Sequence, residues 1–388
     1  MIYLDYNATC PIRLEAIRSM RMYYQALERG NASSVHKAGI YARDDLEQAR
    51  ADLADIIGAE PEEIVFTSGG TESNNMAIFG YMRANSPGKA IALSDIEHKS
   101  VLMPAAAWGT EDRARHPEGG QIRKISLTPK GFISANGLRK IAPDIMYAAV
   151  MHANNETGAI QKMQDIKKVC QEHGIDIHVD ACQTLGKIEV NVQELGAATM
   201  SMSAHKIGGP IGVGALYTRN GIQLKPMILG GHQEADRRGG TENVAGIVGF
   251  ISALLAAKNK HEEETETLWA LHEQLQLGIT RISDVVANYP ARIENRLPNT
   301  LNYSFLGTDS EVVVTLLSER GIYVSTGSAC EAGSLAESYV LMAMGKDKEI
   351  AGSAIRFSMG WKTREKDIDQ AMEILPDVIE EARKVEAY

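Results

Sequence analysis

One cysteine stands among small residues and glycines, in Ser325-Thr326-Gly327-Ser328-Ala329-Cys330-Glu331-Ala332-Gly333-Ser334. A thiol on a mobile, exposed loop can travel to a substrate, and its thiolate would be the nucleophile. Cys10, Cys170 and Cys182 sit in strand-, helix- or core-like contexts, where cysteine behaves as a small hydrophobe. Cys330 is therefore the thiol expected to react, against the alternative of a tolerated loop cysteine. A second nucleophile candidate is Lys206, in Ser201-Met202-Ser203-Ala204-His205-Lys206-Ile207-Gly208-Gly209-Pro210. It follows a buried-strand pattern and precedes a Gly-Gly-Pro break. Desolvation there lowers the pKa of an amine and makes it a Schiff-base nucleophile. A snorkelling surface lysine fits the same letters. Alternation by two puts Ser203 and His205 on one face of that strand end.

Three further segments could serve a charged ligand. Ser68-Gly69-Gly70-Thr71-Glu72 follows a strand and opens a helix. Helix N-terminal N–H groups and the helix dipole favour an anion there, and Thr71 adds a hydroxyl. An ordinary capped turn is the competing reading. Asp180 ends the apolar run of His178-Val179-Asp180-Ala181-Cys182-Gln183. Open α/β sheets bind ligands outside such strand ends. An acid buried there needs a cation or donors, and a protonated pyridine nitrogen would serve; a helix N-cap aspartate is the alternative. His98, in Glu97-His98-Lys99-Ser100, reads by itself as a polar loop residue. Cys170-x-x-His173 with His178-x-x-x-Cys182 has zinc-like spacing, but His178 and Cys182 fall in a core strand and its exit, so no metal site is expected.

The elements that would position these groups alternate. Strand patterns occur at 63–67, 91–93, 145–151, 175–180, 200–203 and 213–217, with helical stretches such as 71–82 and 163–173 between several of them. This spacing predicts a largely parallel, doubly wound sheet. Beyond Tyr217 the pattern changes. A loop rich in glycine and charge spans 230–243, and one long helix is expected over roughly 244–283, with Glu262-Glu263-Glu264 as a solvated face. A second α/β unit follows, with a strand at 299–305, a helix at 310–320, a strand at 322–324 and a closing helix at about 365–387. At 388 residues and roughly 150 residues per domain, about two to three units are expected.

Composition excludes several classes. The net charge of −10 argues against binding a nucleic-acid backbone. Four scattered cysteines make no disulfide framework and suit a reducing cytoplasm. The start has no signal-peptide pattern. The longest apolar run, 246–257, is interrupted by Ser252 and falls short of the ~18 residues that a membrane span needs.

The ordered segments together resemble the cysteine desulfurases of the nitrogen-fixation and iron–sulfur-cluster type, within the class V aminotransferases. The resemblance starts at Tyr3-Leu4-Asp5-Tyr6-Asn7-Ala8-Thr9 and Gly30-Asn31-Ala32-Ser33-Ser34-Val35-His36. It continues through Phe66 to Asn75, Glu97-His98, His152-Ala153-Asn154-Asn155-Glu156-Thr157-Gly158 and His178-Val179-Asp180. It then includes Ser203 to Lys206, Gly230 to Glu234, Arg238 to Asn243, Gly327 to Cys330 and Ile355-Arg356-Phe357-Ser358. It implies the aminotransferase-like α/β fold of pyridoxal-phosphate enzymes (fold type I). A large, mostly parallel-sheet domain would span 15–255. A smaller α/β domain of 1–14 and 256–388 would carry the mobile cysteine loop.

By that resemblance Lys206 would bond the aldehyde of pyridoxal 5′-phosphate, and His98 would stack on its ring and handle protons. Asp180 would keep the ring nitrogen protonated. Gln183 and Asn155 would contact the ring's oxygen side and neighbouring groups. Gly70, Thr71, Ser203 and His205 would hold the phosphate, with Thr241 reaching it from the second subunit of a homodimer. Asn155 and Arg356 would bind the substrate, Arg356 through its carboxylate. The implied reaction converts L-cysteine to L-alanine and leaves a persulfide on Cys330. The sulfur would pass to an acceptor such as an iron–sulfur scaffold protein. Four departures touch loops or packing: Cys10 for threonine, Ala32 for proline, Ala235-Asp236 for Arg-Gly, and Cys182 for threonine or valine. The end at Tyr388, without a longer tail, suggests the nitrogen-fixation-like form.

Overall fold

A computed structural model describes residues 1–85, 90–115, 119–327 and 337–386. Its strands are β1 (Ile2–Tyr3), β2 (Ile64–Thr67), β3 (Ala90–Leu93), β4 (Ile122–Lys124), β5 (Ile145–Met151), β6 (Asp176–Asp180), β7 (Thr199–Ser203) and β8 (Gly214–Thr218). Next come β9 (Val285–Ala287), β10 (Thr300–Phe305), β11 (Ile322–Tyr323), β12 (Ser325–Thr326) and β13 (Ala354–Ser358). A seven-stranded sheet has the order β2-β8-β7-β6-β5-β3-β4. The strands from β7 to β4 pair parallel, whereas β8 runs antiparallel to both β7 and β2. Only residues 204–213 join β7 to β8. That is too short for the crossover a parallel return requires, so the chain turns straight back.

Apolar runs make these strands because helices cover the sheet. Residues of β5, β6, β7 and β8 share one core with the helices Lys37–Ile57, Met163–His173 and Val244–Asn259. The helix Val244–Asn259 buries most of its residues and packs on the helices Leu14–Gln25 and Lys37–Ile57. Such packing explains a helix that is apolar nearly all round. The single helix expected over 244–283 is instead two. It breaks at Lys260 (φ −108°, ψ 11°), and a second helix, His261–Ile279, runs on with the three glutamates in its first turn. Acidic side chains suit that position, near the positive end of the helix dipole.

The second sheet, β12-β13-β10-β9, is antiparallel throughout. Its core takes Leu271, Leu275, Tyr303, Phe305, Phe357 and the C-terminal helix Glu365–Glu386, together with Ile2 and Leu4. The N-terminal β1 pairs parallel with β11, so the first residues of the chain pack with its last third. The segment 3–10 then crosses to the seven-stranded sheet, where Cys10 N–H donates to the carbonyl of His205 (2.9 Å).

Candidate active site

A cavity of about 350 Å³ opens at the C-terminal ends of β5, β6 and β7. Parallel strands present their ligand crevice there. Gly70, Thr71, His98, Asn155, Asp180, Gln183, Ser203, His205, Lys206 and Arg356 all line it. Thr241 is exposed and is not among the lining residues. Cys330 lies outside the described residues, although Gly327, three positions before it, reaches the cavity wall.

Lys206 sits on the single 3₁₀ turn after β7. Its Nζ donates to the carbonyls of Asn7 (2.5 Å) and Ala8 (2.9 Å). Those oxygens hold the amine in the crevice, so it does not snorkel to the surface. Asp180 ends β6, and its two oxygens are satisfied separately. Oδ1 accepts from Cys182 N–H (3.0 Å) and Oδ2 from Asn74 Nδ2 (2.8 Å). Turns follow it and no α-helix begins there, so the carboxylate caps a turn and still faces the cavity. His98 Nδ1 meets Ser100 Oγ (2.7 Å) and accepts from Ser100 N–H (3.1 Å). Burial lowers the His98 pKa, with the Asp180 charge opposing. A pair of short local bonds thus turns a loop histidine into a fixed cavity wall.

The anion end is built at the start of the helix Gly70–Asn85. The first N–H groups of any helix lack internal partners, and here Gly70 and Thr71 carry them at the cavity wall. Glycine is required at 70, because a Cβ there would stand 2.5 Å from Cys182 Sγ. Ser203 and His205 bring further polar groups to the same cavity. His205 Nδ1 lies 3.1 Å from Thr9 Oγ1, and burial pushes its pKa down to about 4.

Arg356 on β13 is buried and donates to the carbonyl of Asn155 (3.1 Å) and to Asp5 Oδ1 (2.7 Å). Its Nε and the Oδ1 of Asn155 are buried atoms with no hydrogen-bond partner among the described residues. Unmet polar atoms are rare in protein interiors, and two in one cavity mark a place for a polar ligand. A helix N-terminus with hydroxyls suits a phosphate, a buried carboxylate suits a ring N–H, and a held amine suits an aldehyde. These residues fit pyridoxal 5′-phosphate.

Several residues of the site carry no signal of their own in the sequence. Asn7 is the hub. Its carbonyl also accepts from Gln183 Nε2 (3.0 Å), and its side chain joins Lys187, Asn299, Thr300 and the carbonyl of Asn155. Lys187 donates to Asn7 Oδ1 (3.0 Å) and Gln183 Oε1 (2.9 Å), and burial lowers its pKa to about 8. An ammonium can only donate, so it fixes which end of the Gln183 amide points elsewhere. Cys182, expected in a purely structural place, lines the cavity. Among the loop departures, Ala32 is buried in the main core, and Glu234, Ala235 and Asp236 all adopt left-handed backbone (φ 49°, 52° and 64°). The family's usual glycine at 236 suits that conformation.

A mostly parallel sheet with helices, and a lysine–aspartate–imidazole crevice at its strand ends, define the pyridoxal-phosphate enzymes of fold type I. Within that class, the chain belongs to the aminotransferase class-V family, whose profile matches residues 2–371. It is 42% identical to "Cysteine desulfurase IscS" of Dictyoglomus turgidum over 390 aligned residues, covering 100% of this chain and 96% of that protein. It is 37% identical to "Cysteine desulfurase IscS" of Clostridium botulinum, covering 99% of this chain and 96% of the relative. Among solved structures, a "NIFS-LIKE PROTEIN" superposes with a TM-score of 0.89 at 33% identity, over 98% of this chain and 99% of the other.

Proposed function

We propose that this protein is a pyridoxal-phosphate-dependent cysteine desulfurase. It converts L-cysteine to L-alanine and passes the sulfur, held as a persulfide on Cys330, to an acceptor such as an iron–sulfur scaffold protein. One observation carries this reading: Lys206, Asp180, His98 and Arg356 meet in one cavity that also holds two unmet buried polar atoms. When bound, pyridoxal phosphate supplies an electron sink for the pair released at the substrate's α-carbon. Gly70, Thr71, Ser203 and His205 would hold its phosphate, Asp180 its ring nitrogen, and Gln183 with Asn155 the oxygen side of the ring. His98 would face the ring. Lys206 would bond the aldehyde and, once released from it, take the substrate's α-proton at Nζ. Arg356 and Asn155 bind the substrate, the guanidinium donating to its carboxylate in two-point fashion.

Sulfur transfer falls to Cys330. Its thiolate forms an S–S bond to the substrate sulfur as the C–S bond breaks, and the carbon left behind takes up a proton. Burial raises the pKa of Cys10, Cys170 and Cys182, which keeps those three as unreactive thiols and supports this assignment. The exposed Thr241 fits a homodimer in which each copy completes the other's phosphate site. Exposed Leu27, Val35, Ile211 and Leu229 are apolar surface that such a partner would cover. We further propose the reducing cytoplasm as its location, and a division into residues 15–255 and 1–14 with 256–388. Among the described residues, no helix is long and apolar enough to cross a membrane.

Two variants test this. Freshly purified wild-type protein is expected to be yellow, and Lys206→Ala to lose the visible band of the native form. Cys330→Ala is expected to keep the band but release alanine and sulfide from cysteine about a hundredfold more slowly, or worse. A colourless wild type that binds no added pyridoxal phosphate, or a Cys330→Ala variant with normal turnover, overturns the reading.

A further inference from the structure

His178 and Asn74 lie next to the cavity groups, and the reaction described above gives neither a role. His178 stands two residues before Asp180 on β6, so both point to the same face of the sheet. The helix Gly70–Asn85 packs against β6 and β7 and brings Asn74 there, buried. The bonds in this layer can be given a direction, starting from a carboxylate, which only accepts.

Asp180 Oδ2 lies 2.8 Å from Asn74 Nδ2, so the amide nitrogen faces the acid. Its oxygen therefore faces His178 Nε2 at 2.9 Å, and that nitrogen must carry the proton. His178 Nδ1 is then an acceptor and takes the hydroxyl proton of Thr199 (2.9 Å). The Thr199 oxygen in turn accepts from Tyr147 (2.5 Å). On the other side, the second N–H of Asn74 goes to Ser100 Oγ (2.8 Å). The Ser100 hydroxyl donates to His98 Nδ1 (2.7 Å). His98 thus carries its proton on Nε2. From Tyr147 to Ser100, each side-chain donor of the run has one acceptor assigned. Burial pushes the His178 pKa down to about 4, which keeps this imidazole neutral with a single N–H, as the run requires.

We propose that Asn74, locked by His178, is a positioning residue that couples Asp180 to His98. One carboxamide fixes the carboxylate and, through the Ser100 hydroxyl, supplies the shorter of the two bonds at His98 Nδ1, which also accepts from the Ser100 N–H (3.1 Å). Without the His178 N–H, the Asn74 amide can turn over. Its oxygen would then face Asp180 and repel it. The Ser100 hydroxyl would bond that amide's other end and leave His98 Nδ1. A substitution beneath the sheet face thereby disturbs two cavity groups at once.

The inference rests on the function proposed above, and the experiment separates the two. Apoprotein is titrated with pyridoxal phosphate by absorbance, and the His98 Nδ1 resonance is read by nitrogen NMR. His178→Leu is expected to weaken cofactor binding roughly tenfold or more, the worth of one lost hydrogen bond to a charged group. It is also expected to shift the His98 Nδ1 resonance, because that nitrogen loses the Ser100 hydroxyl and keeps only the Ser100 N–H. His178→Gln, which keeps an N–H toward Asn74, is expected to recover most of the affinity. Asn74→Ala carries the same expectation as His178→Leu if the latter does not fold. A variant that loses only thermal stability, with affinity and the His98 Nδ1 resonance as in wild type, overturns the inference. A wild-type apoprotein that binds no pyridoxal phosphate overturns the function reading on which it rests, and the inference falls with it.

Discussion

At the scale of single residues, the phosphate end of the cavity is set by a close approach. A side chain at position 70 would collide with Cys182 Sγ at 2.5 Å, whereas Cys182 Cβ and Ser203 Cβ are 3.8 and 3.6 Å away. The conflict is thus with one sulfur atom. Gly70→Ala is expected to cost about 1–3 kcal/mol through overpacking and to weaken pyridoxal-phosphate binding, because the first helical turn must shift. Adding Cys182→Ala removes the sulfur and leaves only ordinary contacts. The double variant is expected to recover most of the stability in urea unfolding and most of the affinity. If it is no better than Gly70→Ala alone, the close approach to Cys182 is not what requires glycine.

At the scale of elements, β2 must hold the turn 68–70 in place, and a buried ion pair anchors it. Glu234 reaches across from its left-handed loop and accepts from Arg50 (2.8 and 2.9 Å) and from the N–H of Phe66 (2.8 Å). Both side chains are almost wholly buried, at 2% and 8% exposure. Removing Glu234 leaves the buried Arg50 with only the half-exposed Glu47 (3.1 Å) as an acidic partner. Glu234→Gln is expected to destabilise the protein by about 3–5 kcal/mol, and Glu234→Leu with Arg50→Met to regain most of it. A loss under about 1 kcal/mol in Glu234→Gln would mean that Glu47 and water compensate Arg50. Much of the element pattern was legible beforehand. The apolar run at β5 reads as a strand because a sheet covered on both faces needs apolar residues in succession, and β6 (Asp176–Asp180) and β7 (Thr199–Ser203) read as strands by their alternation of apolar and polar residues. Lys206, Asp180 and Gly70 drew notice because each punctuates such a run. The break at Lys260 left no mark, since no proline or glycine interrupts the pattern there. The reversal of β8 depends on pairing, which local letters do not encode. Asn7, Lys187, Glu234 and His178 act through partners roughly a hundred or more positions away, apart from the nearer contacts of Lys187 with Gln183 and of His178 with Thr199.

At the scale of the whole molecule, the polar interior predicts how stability depends on pH. Burial lowers the pKa of His152, His178, His205 and His272 to about 4. The unfolded chain binds protons at those imidazoles below about 6.5, while the folded chain does not until about 4. Their contribution is therefore complete above pH 6.5 and is lost as the pH falls through that window. Glu97 has the opposite sign. It is fully buried with Oε2 unmet among the described residues, and burial raises its pKa to about 8. The folded chain keeps that proton from pH 4.5 to 8 where the unfolded chain has released it, so stability declines with rising pH on its account. Between pH 4.5 and 6.5 the four imidazoles outweigh the one carboxyl by a net three protons. The unfolding free energy is expected to fall on acidification with a slope of up to about 4 kcal/mol per pH unit. Between pH 6.5 and 8 Glu97 reverses the sign, which sets a maximum near neutrality, and above pH 8 the lowered pKa of Lys187 acts in the opposite direction. Urea unfolding at half-unit pH steps measures the slope. His272 does not line the cavity, so His272→Leu is expected to flatten the acidic slope by about one imidazole's share while leaving pyridoxal-phosphate binding unchanged. An acidic slope identical to that of wild type would show that His272 binds its proton equally in the folded and unfolded chains.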